Sequence, residues 1–326
     1  MRPDRHSQII KALADGAHHS GEQLAAELGL TRTAVWQHVH ALKTLGIGIA
    51  ASRGRGYRLD QPLELLERQR ILSGVDPALR KELAALEVYF ETDSTNQRLL
   101  EAGMTGDVHR HACVAEFQSA GRGRRGRQWV APLGAGVCLS IAWRFDLAVG
   151  LSGLSLAVAV AVRRALLRIG AHGIGLKWPN DLVWHHKKLA GILAEVRGET
   201  GGPCTVVIGV GVNVALPHEA AEMIEQPYTD LQSVMKCDVS RNALAAALIS
   251  ELLKLLPQYE AGGLAPFLSE WRQADAVRGE QIELSLPNRR VLGRAMDIDD
   301  NGALLVNIDG TVSRFISGEV SVRMPS

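Results

Sequence analysis

Gly121-Arg122-Gly123-Arg124-Arg125-Gly126-Arg127 is the stretch on which the fold reading turns. It formally satisfies G-x-G-x-x-G, the dinucleotide fingerprint, which needs a helix directly after the glycines so that its N-terminus faces a pyrophosphate. The next seven residues, Gln128-Trp129-Val130-Ala131-Pro132-Leu133-Gly134, cannot open such a helix. A Rossmann fold therefore fails at its own motif. Four arginines spaced by glycines describe instead a cationic loop. Ordering it costs about 1–2 kcal/mol per residue, roughly 7–14 kcal/mol over its length, and the arginines repel one another. It is expected to be mobile until polyanionic phosphates neutralise it. A solvated basic loop or an RNA contact is the plainer alternative.

Two further clusters flank this loop. Lys177-Trp178-Pro179-Asn180-Asp181, followed by Lys187-Lys188-Leu189-Ala190-Gly191-Ile192-Leu193, puts ammonium, amide and carboxylate groups around one turn. Lys188, ahead of an apolar strand, can reach inward towards an anion; a turn with surface lysines is the alternative. Thr92-Asp93-Ser94-Thr95-Asn96 comes after a strand and opens a helix. Such residues are ordinary helix caps, and they also suit a neutral polar ligand such as a ureido group. No G-x-x-x-x-G-K-[ST] occurs, so any ATP phosphates must be held by the arginine loop and lysines. The eleven histidines show no metal spacing, and His18-His19 and His185-His186 read as exposed. No Ser-His-Asp arrangement is legible.

The chain around these clusters alternates strand and helix patterns. Glu87–Glu91, Ala112–Phe117, Val137–Phe145, Leu176–Trp178, Leu182–Trp184, Leu189–Val196 and Thr205–Val214 read as strands. Leu154–Ile169 and Arg241–Glu260 read as helices, and Leu63–Ile71 as a short connecting helix. The mixture predicts an α+β domain with its own core. The last fifty residues instead repeat strand, turn, strand, with Pro287-Asn288, Asn301-Gly302 and Asp309-Gly310 as turns. A small SH3-like β barrel closes so short an all-β unit.

The first 60 residues form a separate unit. Ser20 with Gln23 makes a capping-box pattern, and Thr31 can cap a second helix with Ala34, Val35, Val39 and Leu42 as its apolar stripe. Ile47–Ala51, Arg53-Gly54-Arg55-Gly56 and Tyr57–Leu59 come next as two short strands with a basic tip. This is a winged helix-turn-helix. Arg32, Thr33, Gln37, His38 and Lys43 on the second helix, with Arg53 and Arg55 in the wing, suit phosphate contact and base readout. A protein-interaction or dimerisation module is the alternative.

Composition first points elsewhere. In 326 residues, 36 Lys/Arg face 35 Asp/Glu, a net charge of +1, which argues against a nucleic-acid binder held by global charge. Sorted by position, residues 1–60 carry +3 and residues 110–128 carry +4, leaving −6 for the remaining 247. Two basic sites sit on a mildly acidic body. Four cysteines without C-x-x-C indicate neither a zinc ribbon nor a disulfide framework. The apolar stretch Leu147–Val162 is too short for a membrane span, and Met1-Arg2-Pro3-Asp4-Arg5 leads into no signal peptide. A cytoplasmic protein with no membrane partner is expected.

Together the motifs resemble the bifunctional biotin–protein ligases, also called biotin operon repressors. The matching pieces are Ser94-Thr95-Asn96, the Gly121–Arg127 loop, Lys177–Asp181, Lys188–Leu193, Gly209-Val210-Gly211-Val212-Asn213 and Gly318-Glu319-Val320-Ser321-Val322-Arg323. They cover nearly the whole chain in the family's order. The arginine loop with Lys-Trp-Pro-Asn-Asp is highly specific; Ser-Thr-Asn alone is not. The resemblance implies a winged helix at 1–60, a connector at 61–84, a biotin/ATP domain at 85–273 and the small barrel at 274–326.

It implies two half-reactions: biotin and Mg²⁺-ATP give biotinyl-5′-AMP, and a lysine of the biotin carboxyl carrier protein of acetyl-CoA carboxylase then takes the biotin. By motif, Ser94, Thr95, Asn96, Gln118, Arg122, Gly123, Arg124 and Lys188 would hold biotin. Arg124, Arg125, Arg127, Lys177, Asn180, Asn213 and Arg323 would hold ATP and the adenylate. Lys188, Arg124 and Asp181 would carry the chemistry, Asp181 taking or orienting the acceptor proton. No protein-bound metal and no tightly held prosthetic group is expected. The resemblance further implies a homodimer when biotinyl-5′-AMP is bound, and an operator DNA partner. A lipoate-type ligase usually lacks this winged helix and loop, and a non-catalytic vitamin sensor could bind its ligand without Lys188 and the arginines.

Overall fold

The computed structural model describes residues 5–44, 47–145, 151–198, 203–286, 289–316 and 321–323. Helices α1 (Arg5–Leu13), α2 (Gly21–Leu28) and α3 (Arg32–Thr44) precede a two-stranded antiparallel wing, β1 (Ile49–Ser52) and β2 (Gly56–Leu59). The capping box forms in both directions, Gln23 N–H to Ser20 Oγ and Ser20 N–H to Gln23 Oε1, each at 3.1 Å. Thr31 Oγ1 caps α3 by accepting from the Ala34 N–H. Gly29 ends α2 at φ 61°, a left-handed position that favours glycine. Ile9, Ile10, Leu24, Val39, Ile49 and Leu59 meet in a core belonging to this unit. The expectation of exposed His18-His19 is corrected. Both are half-buried, and the His19 ring bonds the Asp15 carboxylate while its backbone bridges to Tyr57 in the wing.

The connector departs from expectation at its start. The helix read at Leu63–Ile71 begins only with α4 (Arg68–Gly74), followed by α5 (Pro77–Arg80). Tertiary bonds take the preceding backbone instead. Glu116 accepts from the Leu66 N–H, Asn242 Oδ1 from the Glu67 N–H at 2.8 Å, and Arg241 Nη1 donates to Glu64 O at 2.8 Å.

The central unit comprises β3 (Ala85–Thr92), α6 (Thr95–Ala102), β4 (His111–Gln118), β5 (Gly136–Phe145), α7 (Leu154–Arg168), β6 (Gly175–Lys177), β7 (Asp181–Trp184), β8 (Lys187–Gly198) and β9 (Cys204–Asn213). Helices α8 (Leu231–Met235), α9 (Arg241–Gly262) and α10 (Leu268–Ala274) complete it. Its sheet has the order β3-β4-β5-β9-β8-β7-β6; β3 and β4 pair in parallel and the other pairs are antiparallel. Alternation along β9 explains the layers. Val206, Ile208, Val210 and Val212 enter the core shared with α7 and α9. Val207, Gly209 and Gly211 occupy the opposite face, where α6 packs through Leu99. Each fully buried Val or Leu contributes about 1.5–3 kcal/mol, so the α7/α9 face is the stabilising one. The opposite face, floored by glycines, is left for a site.

Strands β10 (Gln281–Ser285), β11 (Arg290–Ile298), β12 (Leu304–Ile308), β13 (Thr311–Phe315) and β14 (Ser321–Arg323) form an antiparallel sheet ordered β13-β12-β11-β10-β14. Among the described residues no pairing joins β13 to β14. Asp309-Gly310 turns the β12–β13 hairpin at φ 50° and 87°, as the dipeptide predicts. This sheet shares the central core through Ile282, Leu284, Leu304 and Val306, and buried Trp178 donates its indole N–H to Gly302 O at 3.0 Å. The Pro287-Asn288 turn, residues 146–150, and Gly318-Glu319-Val320 lie outside the described residues. The three cysteines at 113, 138 and 204 are buried and Cys237 is exposed, all free. No described helix is long and apolar enough to cross a membrane.

Candidate active site

On the open face of the sheet, Ser94, Thr95, Asn96, Gln118, Arg122, Gly123, Arg124, Asn180 and Lys188 line one cavity of about 60 Å³. The polar wall is built by the β3-to-α6 turn against β4 and β5. Gln118 Oε1 accepts from Thr95 N–H at 2.8 Å and Thr95 Oγ1 at 3.0 Å. Buried Ser140 Oγ lies 2.7 Å from Thr95 Oγ1 and 2.6 Å from Asn96 Oδ1. Asn96 Nδ2 donates to Glu195 Oε2 at 2.7 Å, and that carboxylate also meets Arg122 Nη2 at 3.2 Å. The network fixes the amide and hydroxyl groups before any ligand arrives. Burial works the other way, yet hydrogen bonds from the Ser94 N–H and the Thr92 hydroxyl hold the Asp93 carboxyl below the usual carboxylate range.

Across the cavity, the β6–β7–β8 meander positions the second cluster. Lys188 Nζ stands 2.8 Å from Asp181 Oδ1, the side chains 18% and 19% exposed. Oδ1 is buried, and the ammonium is its close charged partner. Lys188 Nζ also lies 5.6 Å from the centre of the Trp129 ring, a cation–π contact. The indole lies against Gly211, where any Cβ would strike it. Asn180 is held by its amide to Ile192 O at 2.8 Å and accepts from Arg124 Nη1 at 3.1 Å. Lys177 is the cross-strand partner of Asp181.

The arginine loop has internal order. Gly123 N–H bonds Arg127 O at 2.7 Å, Trp129 N–H bonds Gly121 O at 2.9 Å, and Arg122 bridges Gln128. Arg125 and Gly126 are consecutively left-handed at φ 59° and 72°. Arg122, Arg125 and Arg127 are exposed, whereas Arg124 is half-buried. Burial lowers the Arg124 pKa and repulsion from Arg125 and Arg127 lowers it further, against the pull of Asp181. Trp129 and Lys188 also border a second cavity of about 300 Å³, shared with Arg127, Asn213 and Tyr228. Asn213 is anchored there by its amide to Thr229 O at 3.0 Å. Arg125, Lys177 and Asp181 border neither cavity, Asp181 reaching them only through Lys188 among the described residues. Arg323 ends β14 opposite Glu283, and its side chain lies outside the described residues.

Sequence reasoning missed Ser140, Glu195, Trp129, Cys138 and Tyr228. A lone serine within Val137-Cys138-Leu139-Ser140-Ile141 was an available signal, because an unpartnered hydroxyl in a buried strand is costly. Burial pushes the Cys138 thiol up to about 12, so it is a wall and not a nucleophile. In the N-terminal unit Arg32, Thr33, Gln37, Lys43, Arg53 and Arg55 are all exposed. His38 instead packs half-buried on His6, ring centres 5.1 Å apart.

Comparison with known proteins matches residues 89–213 to the biotin/lipoate A/B protein ligase family, 5–58 to an HTH domain and 278–323 to the biotin protein ligase C-terminal domain. The biotin protein ligase of Aquifex aeolicus, solved in complex with biotin and ATP, superposes with a TM-score of 0.63 at 26% identity, covering 74% of this chain and 100% of that one. The bifunctional ligase/repressor BirA of Escherichia coli is 39% identical over 318 residues, 97% of this chain and 96% of its own. With 40% identity over 317 residues to the Salmonella typhimurium BirA, again 97% of this chain and 96% of the relative, the chain belongs to the bifunctional biotin ligase/repressor family.

Proposed function

We propose that the protein activates biotin with ATP to biotinyl-5′-AMP, passes biotin to a lysine of the biotin carboxyl carrier protein of acetyl-CoA carboxylase, and represses transcription with the same adenylate as signal. The observation that carries this reading is Lys188, an ammonium shared by two adjoining cavities and paired with Asp181. In the first half-reaction a biotin carboxylate oxygen attacks the α-phosphorus of ATP, the bond to the β-phosphate oxygen breaks, and pyrophosphate leaves. Anion meets anion, so fixed cations are the main need and no general base is required. Lys188 and Arg124 supply that charge where the acyl phosphate forms. Ser94, Thr95, Asn96, Gln118, Arg122 and Gly123 hold the ring system and valeryl chain. Arg125, Arg127, Lys177, Asn180, Asn213 and Arg323 hold the nucleotide.

Mg²⁺ would neutralise phosphate charge. No cluster of three metal-binding side chains occurs among the described residues and Asp181 already pairs with Lys188, so such an ion would be held mainly by ATP oxygens. In the second half-reaction the carrier amine attacks the acyl carbon and AMP leaves; Asp181, paired with Lys188 at 2.8 Å, takes or orients the amine proton. A cavity of about 60 Å³ is well below the roughly 300–1,000 Å³ of ordinary small-molecule sites, so the loop and Trp129 part as biotin enters. Reclosure then shields the adenylate from water.

In the regulatory half, adenylate-bound chains pair into a homodimer whose winged helices bind operator DNA in the cytoplasm, and carrier protein competes with that dimer. The division at 1–60, 61–84, 85–273 and 274–326 is part of the proposal. The test is ATP–pyrophosphate exchange with biotin, lipoate or no acid, followed by labelling of carrier protein. Biotin alone should support exchange; exchange with lipoate only, or with neither acid, overturns the ligase reading. Operator affinity unchanged by biotin plus ATP removes the regulatory half and leaves the ligase intact.

A further inference from the structure

Helix α3 carries an aromatic residue that the catalytic scheme does not use. Trp36 is 56% exposed, on a helix whose other large apolar side chains are buried. Its ring stacks on His40 one turn later, with centres 5.5 Å apart and planes 8° from parallel. Residues 32, 36, 40 and 43 share one face at helical spacing, so Arg32 and Lys43 bracket this plate. Across a cavity of about 500 Å³ the wing supplies Arg53. Among the described residues Glu22 is the one acidic residue lining it, and it already pairs with Arg32 at 3.5 Å. A flat aromatic surface bordered by cations fits a base edge framed by phosphates.

We propose that Trp36, held flat by His40, is the base-reading surface of the N-terminal unit and recognises the C5-methyl of a thymine in the major groove. The inference rests on the reading that this unit binds DNA. The face of an indole carries no donor or acceptor, its one N–H lying in the ring edge, so what the face recognises is an apolar group. The thymine methyl is the apolar feature of the base edges, and a recognition helix lies in the major groove where the methyl projects. His38, which residue type alone favours for readout, is instead turned towards His6. Arg32, Lys43 and Arg53 contribute phosphate contacts, which position the helix without specifying sequence.

The experiment uses the full chain with biotin and ATP. A duplex is selected from a randomised pool, and each of its thymidines is then replaced singly by deoxyuridine, which removes only the methyl. Wild type should lose roughly 5- to 100-fold in affinity at one position per half-site, the scale of a single misread base pair. Trp36→Ala should bind the thymidine and deoxyuridine forms equally, and Trp36→Phe should restore part of the preference. Arg53→Ala should weaken all duplexes alike and lower the salt slope by about one. Wild type indifferent to every replacement, or Trp36→Ala with the full methyl preference, overturns the proposal. A Trp36→Ala variant altered in oligomeric state with readout intact marks the face as a protein interface and overturns it too. No duplex binding by the full chain overturns the DNA reading itself.

Discussion

The two cationic parts of the active site are built in opposite ways. Lys188, Asp181 and Asn180 stand on or beside paired strands, with their backbone in the sheet and their side chains mostly buried. The arginine loop hangs between β4 and β5 with its backbone bonded mainly within the loop, and three of its four arginines are exposed. Arg124 reaches the sheet through Asn180 and Arg122 through Glu195 on β8. Chemistry that needs a cation within a fraction of an ångström belongs on the sheet. Charge that must admit and then cover a ligand belongs on the loop. The difference between the two is therefore energetic, and substitutions can break it.

The largest effect is expected where the rigid side is anchored. Arg241 and Glu116 form an ion pair at 2.6 Å with side chains 4% and 3% exposed. Glu116 lies on β4 two residues before Gln118 and also binds the connector at Leu66. Arg241→Ala strands a buried carboxylate and should cost about 3–5 kcal/mol in urea unfolding. Loss below about 1 kcal/mol would mean that this frame is not what holds the polar wall.

Next in size is Lys188→Ala. Removing one preorganised charge at a developing phosphoryl transition state typically costs about 10²–10³ in rate, and biotin-dependent pyrophosphate exchange should fall by that much. Arg124→Gly should do less to activation and more to retention. Losing one charged hydrogen bond to Asn180 is worth about 1.5–3 kcal/mol, or roughly 10- to 100-fold faster release of adenylate. Released adenylate labels proteins indiscriminately, and a pull-down of biotinylated lysate proteins measures it. Equal losses of exchange in the two variants, with no leakage from either, would erase the division between sheet and loop.

Legibility in the sequence divides along the same line. Clusters contiguous in the chain could be read: the arginine loop, Lys177–Asp181 and Lys188, and Ser94–Asn96 are each a few residues long and chemically unusual. Partners supplied across strands could not. Ser140 meets Asn96 from 44 residues away, and Glu195 meets it from 99. Their approach depends on β5 and β8 lying either side of β9, an order that no local pattern encodes. Gly209 and Gly211 read as a strand, but their role as a floor appears only with Asn96 and Trp129 above them. On α3 the residue types suggested His38, while the helical phase gave the outward face to Trp36 and His40. The local pattern places a connector helix from Leu63, and long-range bonds from Glu116, Asn242 and Arg241 delay it to Arg68.

The smallest effect is the sharpest check on the loop. Arg125 is held at φ 59°, a left-handed conformation that costs an ordinary L residue about 1–2 kcal/mol. Glycine removes that strain but gives back roughly 0.5–1 kcal/mol in unfolded-chain entropy. Arg125→Gly should therefore leave unfolding free energy within about 1 kcal/mol of wild type, on the stabilising side. Arg125 borders neither cavity, so any loss it brings should appear as weaker ATP binding through the loop's net charge. Destabilisation by several kcal/mol would show that the loop is part of the frame. A loop that tolerates this change while Arg241→Ala unfolds the protein is one whose order is spent on the ligand.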